Sequence, residues 1–252
     1  AERMAEAAAA PADPECVRKV SAKLPQFRKN IADVSSEAVT AAVHALADSG
    51  RSDVDLLCIG LGTPSSMHNA QFQLAMVKAL LQGLQQHGKS VTLTFHEPLL
   101  DATDRDIIAQ WLPDATVAPT NVEAKIECPN PTVVFMPHCC STLCCNLLCA
   151  NWSPSLANLV IIGNSFAGYE LRSMMPKQKK KIVPMLQVLP YCRELPLKEL
   201  PSAAEAAFSD TSVHVFPRDL LPGPGDKLWA TRPHFPPPDH EVILAPKAET
   251  AP

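Results

Sequence analysis

Four short apolar runs in this chain each end in a cluster of small, polar or proline residues. Val54 to Leu61 leads into Gly62-Thr63-Pro64-Ser65-Ser66, and Val91 to Phe95 into His96-Glu97-Pro98. Thr132 to Met136 leads into Pro137-His138-Cys139, and Leu159 to Ile162 into Gly163-Asn164-Ser165. Strands apolar on both faces belong in a parallel sheet covered by helices. Between the runs the period changes. Ala70, Leu74, Val77, Leu81 and Leu84 step by four and three, which predicts an amphipathic helix from Ser66 to about Gln86, closed by Gly88.

The rest of the chain is read in the same way. Cys16 to Ala47 predicts two short helices broken at Pro25, since proline removes an amide donor inside a helix. Thr103 with Asp106 predicts a capped helix through Trp111, and a weak strand is expected around Thr116 to Ala118. Helices are expected over Ser141 to Asn151 and Leu171 to Lys181, and a further strand over Val213 to Phe216. Strands alternating with helices predict an α/β architecture: a Rossmann-like, doubly wound, mostly parallel sheet flanked by helices. The expected organisation is a disordered Ala-rich tail over 1–14 and an N-terminal helical segment over 15–52. The Rossmann-like domain follows over 53–220, then a Pro-rich disordered tail over 221–252.

Composition narrows the function classes. The 252 residues suit one α/β domain with tails. A net charge of -4 argues against direct nucleic-acid or membrane-surface binding, so any macromolecular partners are expected to be proteins. No run of apolar residues is long enough for a membrane span. The Ala/Glu-rich start lacks the basic beginning and apolar core of a signal peptide. Nine cysteines, five of them within Cys139 to Cys149, are too clustered for a disulfide framework. A reducing compartment is expected: the cytoplasm, with the nucleus as a second location.

In parallel sheets ligands bind outside the carboxyl ends of the strands. A crevice there would be bordered by Gly60, Gly62, Ser65, Glu97, His138, Asn164 and Ser165, with Asn151 and His214 at its margin. The Gly60-Leu61-Gly62 turn could present helix-terminal amides to an anion, with Glu97 accepting from hydroxyls. Against a nucleotide or adenosyl cofactor, the third glycine is absent and Glu97 lies 35 residues past Gly62 rather than the usual ~20. A structural tight turn is the competing reading. His138 is either a general base or a structural histidine. Adjacent residues of an extended chain point to opposite sides, so it is not expected to activate Cys139. On one helix Cys140 and Cys144 lie roughly 140° from Cys145 and Cys149, so no tetrahedral metal site is expected and packing is the reading. Cys128-Pro129 could offer a thiolate to haem iron, which makes haem a candidate cofactor. Lys177 to Lys181 is either a nuclear localisation patch or a solvated helix face.

Longer strings carry a resemblance. Met136-Pro-His-Cys, Asn146-Leu-Leu-Cys-Ala-Asn-Trp-Ser-Pro154, Leu159-Val-Ile-Ile-Gly-Asn-Ser-Phe166 and Asp210-Thr-Ser-Val-His-Val-Phe-Pro217 resemble the sensitivity-to-red-light-reduced (SRR) family. Cys58 to Gly62 and Gln71 to Leu81 extend the likeness, which covers about Asp53 to Leu220. The resemblance implies a regulatory protein tied to circadian clock gene expression and, in animals, to haem biosynthesis, with no established reaction. The adenosylmethionine-dependent methyltransferase is the competing class. One helix departs from the family: Cys140 replaces a usual glycine, Cys144 a tyrosine and Cys149 a tryptophan.

Overall fold

The computed structural model describes residues 11–197 and 202–244. The outer parts of both expected tails, 1–10 and 245–252, lie outside the described residues.

Seven strands form one sheet: β1 (Asp53–Ile59), β2 (Ser90–His96), β3 (Thr116–Val117), β4 (Thr132–Met136), β5 (Leu159–Asn164), β6 (Arg193–Pro196) and β7 (Thr211–Val215). Their order is β3-β2-β1-β4-β5-β7-β6. β1 pairs in parallel with both β2 and β4, and β4 with β5, so the four apolar runs lie side by side and exit at one rim. The order reverses between β2 and β4 around β1, which makes this rim a topological switch point. Only β7 departs: it runs antiparallel to β5, with Asn164 opposite Thr211, and β6, antiparallel to β7 in turn, runs the same way as the other strands.

The period-2 alternation of these strands splits the core in two. Leu56, Cys58, Val133, Phe135, Val160 and Ile162 face one side, while Leu57, Ile59, Val134, Met136 and Ile161 face the other. The first side is covered by α1 (Pro14–Asn30), α2 (Ala32–Leu46) and α3 (His68–Gln86), through residues such as Leu24, Ala38 and Phe72. The second is covered by α5 (Ser141–Ala150) and neighbouring short helices, with Cys145, Leu147 and Leu148 fully buried. Each such aliphatic side chain contributes roughly 1.5–3 kcal/mol by leaving water. α3 ends as expected: Gly88 has φ 75°, and Lys89 N–H reaches back to Leu84 O at 3.1 Å.

Several elements differ from the sequence expectation, each for a local reason. Pro25 sits inside α1, and the break falls at Ile31 instead. The buried stripe Val17, Val20 and Leu24 holds the helix through the proline. α4 (Ala102–Trp111) is capped by Asp101 and Asp104, each accepting from the other's backbone N–H, and not by Thr103 and Asp106. Thr103 is used elsewhere: its hydroxyl accepts from Asp13 N–H at 3.0 Å, tying the start of α1 to α4. The helix expected from Leu171 is two, α6 (Phe166–Arg172) and α7 (Pro176–Lys181), because the residue before a proline disfavours the helical region. They are followed by α8 (Val183–Val188). Edge strand β6, only four residues and mostly exposed, carries no periodic signal and escaped notice.

The Pro-rich segment after Pro217 is extended but docked over its described part. It forms one short helix, α10 (Lys227–Ala230), after α9 (Glu205–Phe208). Trp229 packs edge-on against Trp152 at 5.8 Å, and Trp152 donates to Leu228 O at 2.8 Å. Arg232 donates to Cys149 O (2.6 Å) and Ala150 O (2.9 Å), satisfying terminal carbonyls of α5. Proline denies the segment regular backbone pairing, and side-chain anchors replace it.

Candidate functional site at the strand ends

The turn after β1 is built on two glycines in the left-handed region, Gly60 (φ 67°) and Gly62 (φ 77°). A side chain at Gly60 would have its Cβ 2.5 Å from Cys139 Sγ. That thiol is fully buried and donates to Ile59 O at 3.4 Å, so the cleft between β1 and β4 is filled by the chain itself. Pairing of Ile59 with His96 brings the end of β2 alongside. Glu97 follows, and its carboxylate accepts from Gly62 N–H (2.7 Å) and Leu99 N–H (3.0 Å). Ser65 N–H donates to the Asp104 carboxylate at 2.8 Å. Gly62 and Ser65, the amides expected to hold an anion, are thus held by two internal carboxylates. Burial pushes the pKa of Glu97 up, with the two amide bonds opposing it, and burial likewise raises Asp104.

The exits of β4 and β5 interlock in a similar way. His138 adopts φ 56° with its residue exposed, while its backbone N–H donates to Asn164 Oδ1 at 2.8 Å. Asn164 Nδ2 donates to Cys139 O (3.3 Å) and to the Tyr169 hydroxyl (3.1 Å), which itself donates to Cys139 O at 2.8 Å. Ser165 caps α6, its hydroxyl accepting from Gly168 N–H at 2.8 Å. Cys139 points inward and His138 outward, so the pair is not set up as nucleophile and base. Burial raises the Cys139 thiol far above the ordinary range and takes Cys145 and Cys192 to about 12. A thiol held protonated is a poor nucleophile.

Two expected border residues lie elsewhere. Asn151 ends α5, which runs back from the rim, so it sits at the opposite end of the sheet. There its Oδ1 accepts from Cys128 N–H (2.7 Å) and its Nδ2 donates to Ile126 O (2.8 Å) and Leu147 O (2.9 Å). His214 is fully buried within β7, stacked on Phe166 at 3.9 Å, with Nδ1 3.1 Å from Ile161 O. Its Nε2 lies 3.3 Å from Phe166 N and 3.6 Å from the Glu194 carboxylate. Glu194 went unnoticed in the sequence because β6 did. Burial would raise its pKa, but hydrogen bonds from the Ser165 hydroxyl and Ala167 N–H, with His214 beside it, outweigh it and hold it at about 2. Tyr169 and Asp104, on α6 and α4, went unnoticed for a different reason: nothing in their spacing announces a rim contact.

The cysteines of α5 pack. Cys144, Cys145 and Cys149 are buried, with Cys144 Sγ 3.9 Å from Met136 Sδ. Among the described residues no group of three His, Cys, Asp or Glu is arranged to hold a metal ion. No described helix is long and apolar enough to cross a membrane. Cys128 does not fit a haem ligand: the residue is buried, its thiol donates to Ile126 O at 3.8 Å, and burial raises its pKa to about 11. A porphyrin would need an open face at that sulfur, which the packing around Cys128 does not leave.

Comparison with known proteins places this arrangement. A model of the SRR1 domain matches residues 26–215, from the end of α1 through β7. The SRR1-like protein of Drosophila melanogaster is 30% identical over 178 residues, covering 70% of this chain and 60% of that protein. The SRR1-like protein of Mus musculus is 35% identical over 162 residues, 63% of each. Protein SENSITIVITY TO RED LIGHT REDUCED 1 of Arabidopsis thaliana is 28% identical over 168 residues, 65% of this chain and 58% of that protein. The chain therefore spans about three-fifths of the length of the curated relatives it matches. No solved structure matches it.

Proposed function

The chain belongs to the SRR1 domain family, and on that premise we propose that it is a non-enzymatic regulatory protein acting in circadian clock gene expression and in control of haem biosynthesis. It works through protein partners in the cytoplasm and nucleus. The observation that carries the non-enzymatic part is the self-occupied rim: the Gly62 amide is spent on Glu97, and Cys139 fills the space beside Gly60. A binding cleft for a cofactor phosphate needs those amides free. The clock part is supported by the Arabidopsis thaliana relative, whose name records reduced sensitivity to red light, and light is the input that sets a clock. The haem part rests on the sequence resemblance alone.

Depletion of the protein in cells carrying a clock-gene luciferase reporter tests this. Rhythm amplitude or period and cellular haem content should both change, and re-expression should restore them. An unaltered rhythm and unaltered haem after complete depletion would overturn the proposal.

One observation favours a second reading, an adenosylmethionine-type transferase. Glu97 follows β2 beside the glycine turn at the switch point of the sheet, where nucleotide-binding folds place an acid against a ribose hydroxyl. Fold likeness does not carry a reaction by itself. Calorimetry with adenosylmethionine decides: micromolar binding that is lost in Glu97→Ala favours the transferase, and absence of heat at high protein concentration removes it.

A further inference from the structure

The opposite end of the sheet is open. Between α2 and the amino-terminal ends of the parallel strands lies a cavity of about 990 Å³. It exists because α2 presents small side chains there: Ala41 and Ala45 are only half-buried, while Ala38, Ala42 and Leu46 on the neighbouring stripe reach the core. Its floor is apolar, from Leu195 and Val215. Leu195 remains 47% exposed, which leaves apolar surface uncovered. Such a volume is at the upper end of what small-molecule sites enclose.

The walls differ in charge. Arg193 and Arg218 stand on the strand side. Arg218 is oriented by donating to Asn158 Oδ1 at 2.6 Å, a neutral acceptor, and no carboxylate pairs with it among the described residues. Arg193 has Asp219 at 3.6 Å, but both ends are well exposed, so that pair is weak. On the helix side Asp33 lies in the first turn of α2, where a carboxylate complements the helix dipole, with Glu37 one turn on. With Asp219 already beside Arg193, Arg218 is the cation left among the described residues to draw an anionic head, which Asp33 and Glu37 repel from the start of α2. Arginine suits this task because its planar fork matches a carboxylate or phosphate.

We propose that this cavity is a binding site for a single-chain amphipathic anion, its carboxylate or phosphate head held by Arg218 and Arg193 and its apolar body laid along Ala41, Ala45, Leu195 and Val215. The site is independent of the strand-end rim and of the regulatory reading above.

Isothermal calorimetry on the full chain tests it with three probes sharing one tail, each kept below its micelle concentration: dodecanoate, dodecyl phosphate and dodecyl trimethylammonium. One equivalent of dodecanoate or dodecyl phosphate should bind, and the tighter of the two identifies the head group. The cationic probe should bind at least about 10-fold more weakly, and the double variant Arg193→Ala, Arg218→Ala should lose about 10-fold for both anions, the scale of one charge-assisted contact. Both arginines are exposed, so the variant keeps its packing, which circular dichroism melting verifies. Ala41→Trp should block all binding by filling the cavity. Equal affinity for the three probes, unchanged affinity in the arginine variant, or no binding of either anion would overturn the proposal.

Discussion

At the carboxyl end of the sheet Gly60, Cys139, Glu97 and Asn164 occupy one another's space and hydrogen bonds, whereas at the amino end α2 and Arg218 border some 990 Å³ of open volume. The switch-point rule points to the first end as the ligand site. The contrast shows what that rule presumes: loops that leave their amides unspent. Here the exit of β1 meets carboxylates from the loop after β2 and from the first turn of α4, and the exit of β4 turns a thiol inward. At the other end short side chains on α2 fail to reach the sheet, and nothing from the described chain closes the gap.

The largest effect that would break this comparison is expected at Gly60. Gly60→Ala places a methyl against a buried thiol at a positive φ, so overpacking and backbone strain together should cost about 3 kcal/mol. Urea denaturation measures it, and a loss below about 1 kcal/mol would mean the rim is loose.

Glu97→Gln sharpens the point at intermediate size. It retains one oxygen but sets an amide NH₂ against a backbone donor, so a loss of about 1–2 kcal/mol is expected near neutral pH. The pH dependence has a definite sign. Burial holds the folded-state pKa of Glu97 above its ordinary 4.5, so the native protein binds the proton more tightly than the unfolded chain. That contribution to stability is present below the unfolded value and is lost as pH rises through the folded one. Glu194 works oppositely, its contribution present above 4.5 and lost as pH falls toward about 2. In Glu97→Gln the first slope should vanish and the second remain. Denaturant midpoints across that pH range would show whether it does.

The smallest effect is expected in the open cavity. Ala41→Leu adds a side chain where there is room, so stability should change by less than about 0.5 kcal/mol. A melting curve showing a larger loss would mean that the cavity closes in solution.

Much of the frame was legible beforehand. β4 runs over Thr132–Met136 as read from its apolar stretch, and of the α3 stripe Ala70, Leu74, Val77 and Leu84 are buried while Leu81 is partly so. Such patterns are visible because burial on one or both faces dictates them. The rim was legible as a place and not as an arrangement. Gly60, Gly62, Ser65, Glu97, His138, Asn164 and Ser165 do gather there, but Glu97 accepts from Gly62 and not from an exposed hydroxyl. Asn151 was placed at the wrong end because a polar residue after a helix does not reveal which way the helix ran. His214 was read as a border group, yet it lies inside the sheet, satisfied by Ile161 and Phe166. Glu194, which approaches it, was hidden by a strand too short to leave a period.

The amino-acid order alone determined which stretches become parallel strands, which helices cover them and at which rim their loops emerge, since alternating and 3.6-fold burial is written directly in side-chain polarity. Which donor meets which acceptor at that rim, and that an unfilled space opens at the far end beside α2, was decided only in three dimensions. Those outcomes depend on distances between residues far apart in the chain, such as Gly62 with Glu97 and Ala41 with Val215, and local pattern carries no information about such distances.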